Sequence, residues 1–264
     1  MSNDREMSFW EHVETLRKHL IRSVLAIGIL AIAAFIFSDV IFNDVILAPK
    51  EPDFFTNRWL CTLAGFMHTP QLCINQNPLP LTNISMSGQF TTHIWVSVIA
   101  GFILAFPFIC MELWRFIKPA LGTNAIKQSS SFILMTSLLF MVGILFGYYI
   151  IAPMSIEFLG HYQITADISN QITLTSYIST VSGIVLSSGI AFELPVVIWL
   201  LARLGVVDVK GLKKYRRHAM VVIVVFAAII TPPDVVSQIL VSVPMILLFE
   251  AGIHIASGVE RKRS

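Results

Sequence analysis

Apolar residues in this chain fall into long runs separated by short polar stretches. Six runs with few charges lie at about Ser23 to Phe42, His93 to Trp114, Ser131 to Pro153, Tyr177 to Leu204, Ala219 to Thr231 and Val236 to Ile255. A bilayer core of about 30 Å takes roughly 20 helical residues at about 1.5 Å each, so the first four predict comfortable membrane-spanning helices. The fifth run, about 13 residues, reaches only about 20 Å and needs a thinned bilayer, borrowed flanking residues or re-entry. Ahead of the first run, Phe9, Val13, Leu16 and Leu20 recur at helical spacing, with Glu11, Glu14 and Lys18 on the other side. That periodicity predicts an amphipathic helix along the membrane face within residues 1–22.

Composition agrees with the pattern. The 264 residues are 55% hydrophobic and 13% charged, against roughly 25% charged in soluble domains, and the mean hydropathy is +0.76. The net charge of +2 matters less than its placement: 16 of the 18 Lys and Arg residues lie before the first run, between the second and third, from Arg203 at the end of the fourth up to the fifth, or after the sixth. The other two, Lys50 and Arg58, lie between the first and second runs. Basic residues stay on the cytoplasmic side. The expectation is therefore an all-α polytopic membrane protein, one integral domain over residues 1–264, with six transmembrane helices and both termini cytoplasmic. The extracytoplasmic loop covers about 50–88, and cytoplasmic loops cover about 115–130 and 205–217. Acidic Asp4, Glu6, Glu11 and Glu14 among the early basic residues argue against a cleavable signal peptide.

The first outer loop carries Pro52, Pro70, Pro78 and Pro80 together with Cys61 and Cys73. An oxidising compartment would allow that pair to close a loop, although spacing alone fixes no geometry. Cys110, inside the second run, reads as a small packing residue. Gly143 and Gly147 form a GxxxG in the third run, and Ser179, Gly183 and Ser187 are spaced likewise in the fourth. Such faces favour close helix packing within one chain over oligomerisation.

The sequence holds no GxxxxGK[ST] loop, HExxH, CxxC or GxSxG, so no ordinary enzyme chemistry, cofactor or metal is expected. Its unusual groups are carboxylates in apolar runs: Glu193 in the fourth, Glu250 in the sixth and Glu112 near the cytoplasmic end of the second. An acid at a membrane-helix centre costs about 2.5–3.5 kcal/mol on insertion scales, so it implies a purpose. Each could instead be a hydrogen-bonded carboxyl that only packs helices, and Glu112 could reach the headgroups. Pro195 removes a backbone donor and frees the Ala191 carbonyl one turn earlier. A kinked helix with a spare acceptor beside a carboxyl would make a polar notch in a membrane wall.

Several stretches together resemble the TatC family, the multispanning receptor subunit of the twin-arginine protein translocase. They are HVETLRKHL at 12–20, LAP at 47–49, ELWRFIKPAL at 112–121, AFELPV at 191–196, TPPDVVSQ at 231–238 and VPMILLFEAG at 243–252. The resemblance implies a glove-shaped helical protein of the bacterial inner membrane with a concave face and short fifth and sixth helices. It implies a receptor that binds twin-arginine signal peptides and, with TatA- and TatB-like single-span partners, exports folded proteins using the proton motive force. Self-association within a larger complex is implied as well, and no nucleic acid.

In that family the cytoplasmic N-terminal region and first cytoplasmic loop bind the signal. Here that surface would comprise Glu11 to Arg17 and Phe116, Pro119 and onward to about Lys127. Two guanidinium groups call for carboxylates in charge-assisted geometry. The two acidic positions of the family pattern are Thr15 and Ala125 in this chain. Glu14, Glu11 and Glu112 are the candidate substitutes, although Glu14 sits about 100° around the helix from Thr15. Glu193 matches the family's intramembrane carboxyl; in its protonated form it would hydrogen-bond a partner helix or the inserted signal. Thr231 and Gln238 match polar positions where single-span partners dock, Asp234 would shape the TPPD turn, and Glu250 matches a family acid without a nameable role. The alternatives are a proton-coupled small-solute transporter using Glu193 and Glu250, and a purely structural scaffold.

Overall fold

The computed structural model describes residues 9–69, 73–77, 79–121, 129–165, 167, 170–231 and 235–261. In chain order its helices begin with α1 (Phe9–Ile36), the short turn α2 (Ser38–Val40) and α3 (Phe55–Met67). They continue with α4 (Gly88–Ile117), α5 (Ser129–Phe146), α6 (Ala152–His161), α7 (Leu174–Phe192) and α8 (Leu194–Leu204). The last three are α9 (Val209–Lys214), α10 (Arg216–Ile230) and α11 (Val235–Arg261). A π-helical turn over Gly147–Ile151 joins α5 to α6.

Among the described residues five stretches are long and apolar enough to cross a membrane: Val13–Ile36, Gly88–Ile117, Phe132–His161, Leu174–Leu204 and Ser237–Gly258. The remaining expected span is α10, with 15 residues, about 22 Å of helix. Two expectations are corrected. The amphipathic start and the first span are one continuous 28-residue helix, α1, because nothing between Glu11 and Ile36 breaks it: the stretch holds no proline and its only glycine is Gly28. The sixth segment is also not short. It runs through Pro244 for 27 residues, a proline being tolerated where neighbouring helices can satisfy the freed carbonyl.

The helix ends follow local chemistry. Thr173 caps α7 by accepting from the Ser176 N–H at 3.2 Å, and Asp208 caps α9 by accepting from the Gly211 N–H at 3.0 Å. Gly205 ends α8 with φ 75°, the left-handed conformation that glycine enters without a Cβ clash.

Two compact units emerge from the contacts. Unit 1 (Met1–Ile36 and Ser97–Ser137) holds α1 with the later part of α4. There Gly101 faces the α1 backbone so closely that a Cβ would stand 2.6 Å from the Ala31 nitrogen, and Trp114 stacks on Phe132 with ring centroids 4.3 Å apart.

Unit 2 (Phe37–Val96 and Leu138–Ser264) contains the main apolar cluster, built by Ile184 and Ala191 of α7, Ile198 of α8, Ala227 of α10, and Met245, Phe249 and Ile253 of α11. The GxxxG that spans the end of α5 and the start of the π-helical turn is buried in this unit: a Cβ on Gly143 would meet the Ser188 carbonyl at 2.7 Å, and one on Gly147 the Ser188 side chain at 2.9 Å. Gly183, by contrast, has no such neighbour within 4 Å.

The loop segment between α1 and α4 is also ordered by side chains. Asn57 is fully buried and donates to the Pro49 and Glu51 carbonyls at 3.1 and 2.8 Å. Asn75 donates to the Pro153 carbonyl at 3.0 Å, and its backbone N–H to Glu157 at 2.6 Å. Cys61 and Cys73 are joined by a disulfide. A two-residue parallel pairing, β1 (Leu81–Thr82) with β2 (Ile172–Thr173), is a small departure from the all-helical expectation.

Candidate functional site

The expected signal surface lies in unit 1. On the outer face of α1, Glu14 pairs with Lys18 at 3.4 Å, both side chains about two-thirds exposed. Glu11 and Arg17 are exposed as well. Thr15, standing where the family has an acid, donates its hydroxyl to the Glu11 carbonyl at 2.8 Å. Pro119 is exposed in the 3₁₀ turn Lys118–Leu121 after α4. Ala125 and the loop through Lys127 lie outside the described residues.

Glu112 differs from its expectation as an acid open to headgroups or arginines. Its side chain is 1% exposed, and its oxygens meet His19 Nδ1 at 2.6 Å, Arg115 Nη1 at 2.7 Å and Arg22 Nη1 at 3.7 Å. Phe116 closes over the imidazole edge-on, with ring centroids 6.3 Å apart. Burying a carboxylate is costly unless partners and hydrogen bonds return the lost hydration, and here they come from the same chain. A guanidinium arriving from outside would have to displace an internal one. His19 is not among the residues the sequence pattern singles out; the available signal is that His19 and Arg22, like Glu112 and Arg115, are three apart and share a helix face.

The intramembrane group lies in unit 2, where Glu193 separates α7 from α8. The expectation of a kink is corrected to a break. The Glu193 N–H folds back toward the Ile190 and Ala191 carbonyls, and the Glu193 carbonyl accepts from Val196 and Val197, each at 3.0 Å. Pro195 is buried at the start of α8, where its missing N–H costs no helical bond. The helix is therefore broken and restarted, which leaves Glu193 half-buried at the joint. The Phe140 backbone hydrogen-bonds the carboxyl, while Oε1 is buried with no aligned hydrogen-bond partner among the described residues.

The other polar positions are tied down. Thr231 is buried and donates to the Ala227 carbonyl at 2.9 Å. Gln238 Nε2 reaches the Val224 carbonyl at 3.5 Å, linking α11 to α10. Glu250 meets Arg216 Nε at 2.5 Å. Asp234 lies outside the described residues. The structure thus assembles one saturated carboxylate in unit 1; in unit 2 the buried Glu250 Oε1 has the Arg216 charge beside it, and the buried Glu193 Oε1 has no ion-pair partner among the described residues.

Residues 11–244 match the family described as TatC, Sec-independent protein translocase protein. The chain belongs to the TatC family. A TatC from Blattabacterium sp. subsp. Periplaneta americana is 38% identical with each chain covered in full. One from Carboxydothermus hydrogenoformans is 33% identical over 98% of this chain and 96% of its own. Among solved structures, the twin arginine translocase receptor TatC in DDM superposes with a TM-score of 0.72 at 32% identity, over 93% of this chain and 99% of that one. A second crystal structure of the same receptor gives 0.67 at 31% identity over 95% and 100%. This TatC-family chain is accordingly a multi-pass component of protein translocation in the bacterial inner membrane, from a transport rather than a catalytic family.

Proposed function

We propose that the chain is the signal-receiving core of a twin-arginine translocation system. It binds paired-arginine signal peptides and, with TatA- and TatB-like single-span partners, passes folded proteins outward using the proton motive force, without catalytic chemistry of its own. Residues 1–264 act as one integral membrane domain with both ends cytoplasmic. The disulfide in the loop after α1 supports that orientation, since such bonds persist outside the reducing cytoplasm.

The observation that carries the reading is the Glu193 carboxyl, held at a helix break inside a membrane span with a buried oxygen that has no aligned hydrogen-bond partner among the described residues. A buried polar atom left alone costs about 1–3 kcal/mol, and a donor on a docking helix or inserted signal removes that cost. Pro195 restarts the helix and so holds the joint open, while Thr231 and Gln238, each hydrogen-bonded within the chain, serve the same partners by exchanging those bonds. The solute-transporter alternative needs Glu250 as a second proton carrier, yet Glu250 is ion-paired with Arg216.

At the signal surface Glu11, Glu14, Arg17, Phe116 and Pro119 make the contacts. Glu112 acts beneath them by fixing His19 and Arg115. The test is binding of a fluorescent twin-arginine peptide to the purified chain beside its Lys-Lys counterpart. At least tenfold weaker Lys-Lys binding, about 1.4 kcal/mol, is expected; equal affinities for a folded preparation would refute the receptor assignment. Glu193→Ala should keep membrane insertion and lose cross-linking to a single-span partner, and undiminished cross-linking would remove Glu193 from the docking notch.

A further inference from the structure

Unit 2 also contains a cavity of about 300 Å³ lined by Lys213, Arg216, Glu250, Ile253, His254 and Ser257. It lies where α9, the first turn of α10 and the last turns of α11 meet, at the end that carries Lys210, Lys214 and Arg217. Arg216 approaches Glu250 through Nε at 2.5 Å. That pairing offsets the one acid among the described lining residues and holds a guanidinium beside the cavity, whose five donors exceed what one carboxylate oxygen uses. Lys213 adds an exposed ammonium and His254 an exposed imidazole. Ser257 gives its hydroxyl hydrogen to the His254 carbonyl at 2.7 Å, so the donors offered to a ligand are ammonium, guanidinium and imidazole. Convergent donors of that kind suit an oxyanion, phosphate above all.

The apolar surroundings decide which phosphate. Leu247, Val243 and Ile239 are exposed on α11 at successive intervals of four residues, inside the Ser237–Gly258 span. His254 lies seven residues beyond Leu247, two turns along the same stripe, about 10 Å. A phospholipid whose phosphate sits among Lys213, Arg216 and His254 would therefore lay its acyl chains down a helix face that already meets lipid. Basic pockets at the ends of membrane helices are suited to anionic headgroups. We propose that this cavity binds the phosphate of an anionic phospholipid and so anchors the basic end of α10 and α11 in the bilayer.

The experiment uses the full chain, purified in neutral detergent and stripped of lipid, then offered phosphatidylglycerol, phosphatidylcholine or inorganic phosphate. Retained lipid is read by native mass spectrometry and the shift in unfolding midpoint by circular dichroism. Phosphatidylglycerol should be retained at least fivefold over phosphatidylcholine. The double variant Lys213→Gln, His254→Gln should lose that preference with helicity unchanged, because both side chains are exposed. Lys214→Gln, outside the cavity, should keep it. An undiminished preference in the double variant would overturn the site, and equal stabilisation by inorganic phosphate at the same concentration would overturn its assignment to lipid.

Discussion

Replacing Glu112 with glutamine keeps the side-chain volume and removes the charge, so it isolates what the buried carboxylate does in unit 1. The His19 contact, at 2.6 Å between two largely buried side chains, is a charge-assisted bond of about 1.5–3 kcal/mol. Arg115 and Arg22 are each more than half exposed, and solvent screening reduces such pairs to about 0–1 kcal/mol apiece. Glutamine retains a carbonyl oxygen that can still accept, so the expected net loss is about 2–3 kcal/mol. A double-mutant cycle of Glu112→Gln with His19→Gln should return a coupling of about 1.5 kcal/mol or more, and the cycle with Arg115→Gln less than about 1. Unfolding in detergent micelles followed by circular dichroism provides the free energies. A His19 coupling below about 0.5 kcal/mol, or one smaller than that of Arg115, would refute the clamp. So would Glu112→Gln weakening signal-peptide binding while leaving stability untouched, because that result would return Glu112 to the recognition surface.

Further outcomes follow from packing and covalent links. Gly143→Ala should destabilise by about 1–3 kcal/mol, since its Cβ would stand 2.7 Å from the Ser188 carbonyl and 2.9 Å from the Gly189 Cα. Gly183→Ala, with open space around it, should instead stabilise by up to about 1 kcal/mol through helix propensity; the reverse ordering in thermal unfolding would contradict the packing. Reducing the Cys61–Cys73 bond, which closes a separation of 12 residues, should lower the stability of the α3 loop by about 2–4 kcal/mol. Limited proteolysis with and without reductant measures this, and identical cleavage rates would show that the bond does not constrain the loop.

The helical membrane architecture was legible because its cause is local: each span is a contiguous apolar run, and basic residues punctuate the runs. Boundaries were less legible. The start of α1 at Phe9 and the extension of α11 to Arg261 depend on helical continuity through polar residues that hydropathy treats as edges. The buried asparagines of the outer loop were missed because each satisfies carbonyls at irregular, partly distant positions: Asn57 those of Pro49 and Glu51, Asn75 that of Pro153. The β1–β2 pairing joins residues about 90 apart in a way that no two-residue pattern announces.

The carboxylates show most clearly where sequence reading stops. Glu112 and Glu193 both stand in apolar runs, and insertion cost marks both as purposeful without distinguishing the purposes. What separates them is supply. One turn of α1 brings His19 and Arg22 to Glu112, and its own helix adds Arg115, so its demand for partners is met within the chain. Glu193 stands where Pro195 forces one helix to end and another to begin, and the local backbone donors are spent on closing that joint. Its buried Oε1 has no aligned hydrogen-bond partner among the described residues. In a medium without water, a satisfied carboxylate rigidifies the fold, and an unsatisfied one gains free energy only when a donor arrives from elsewhere. On that difference we propose Glu112 for the scaffold and Glu193 for the encounter, a distinction that rests on hydrogen-bond partners the one-dimensional pattern does not contain.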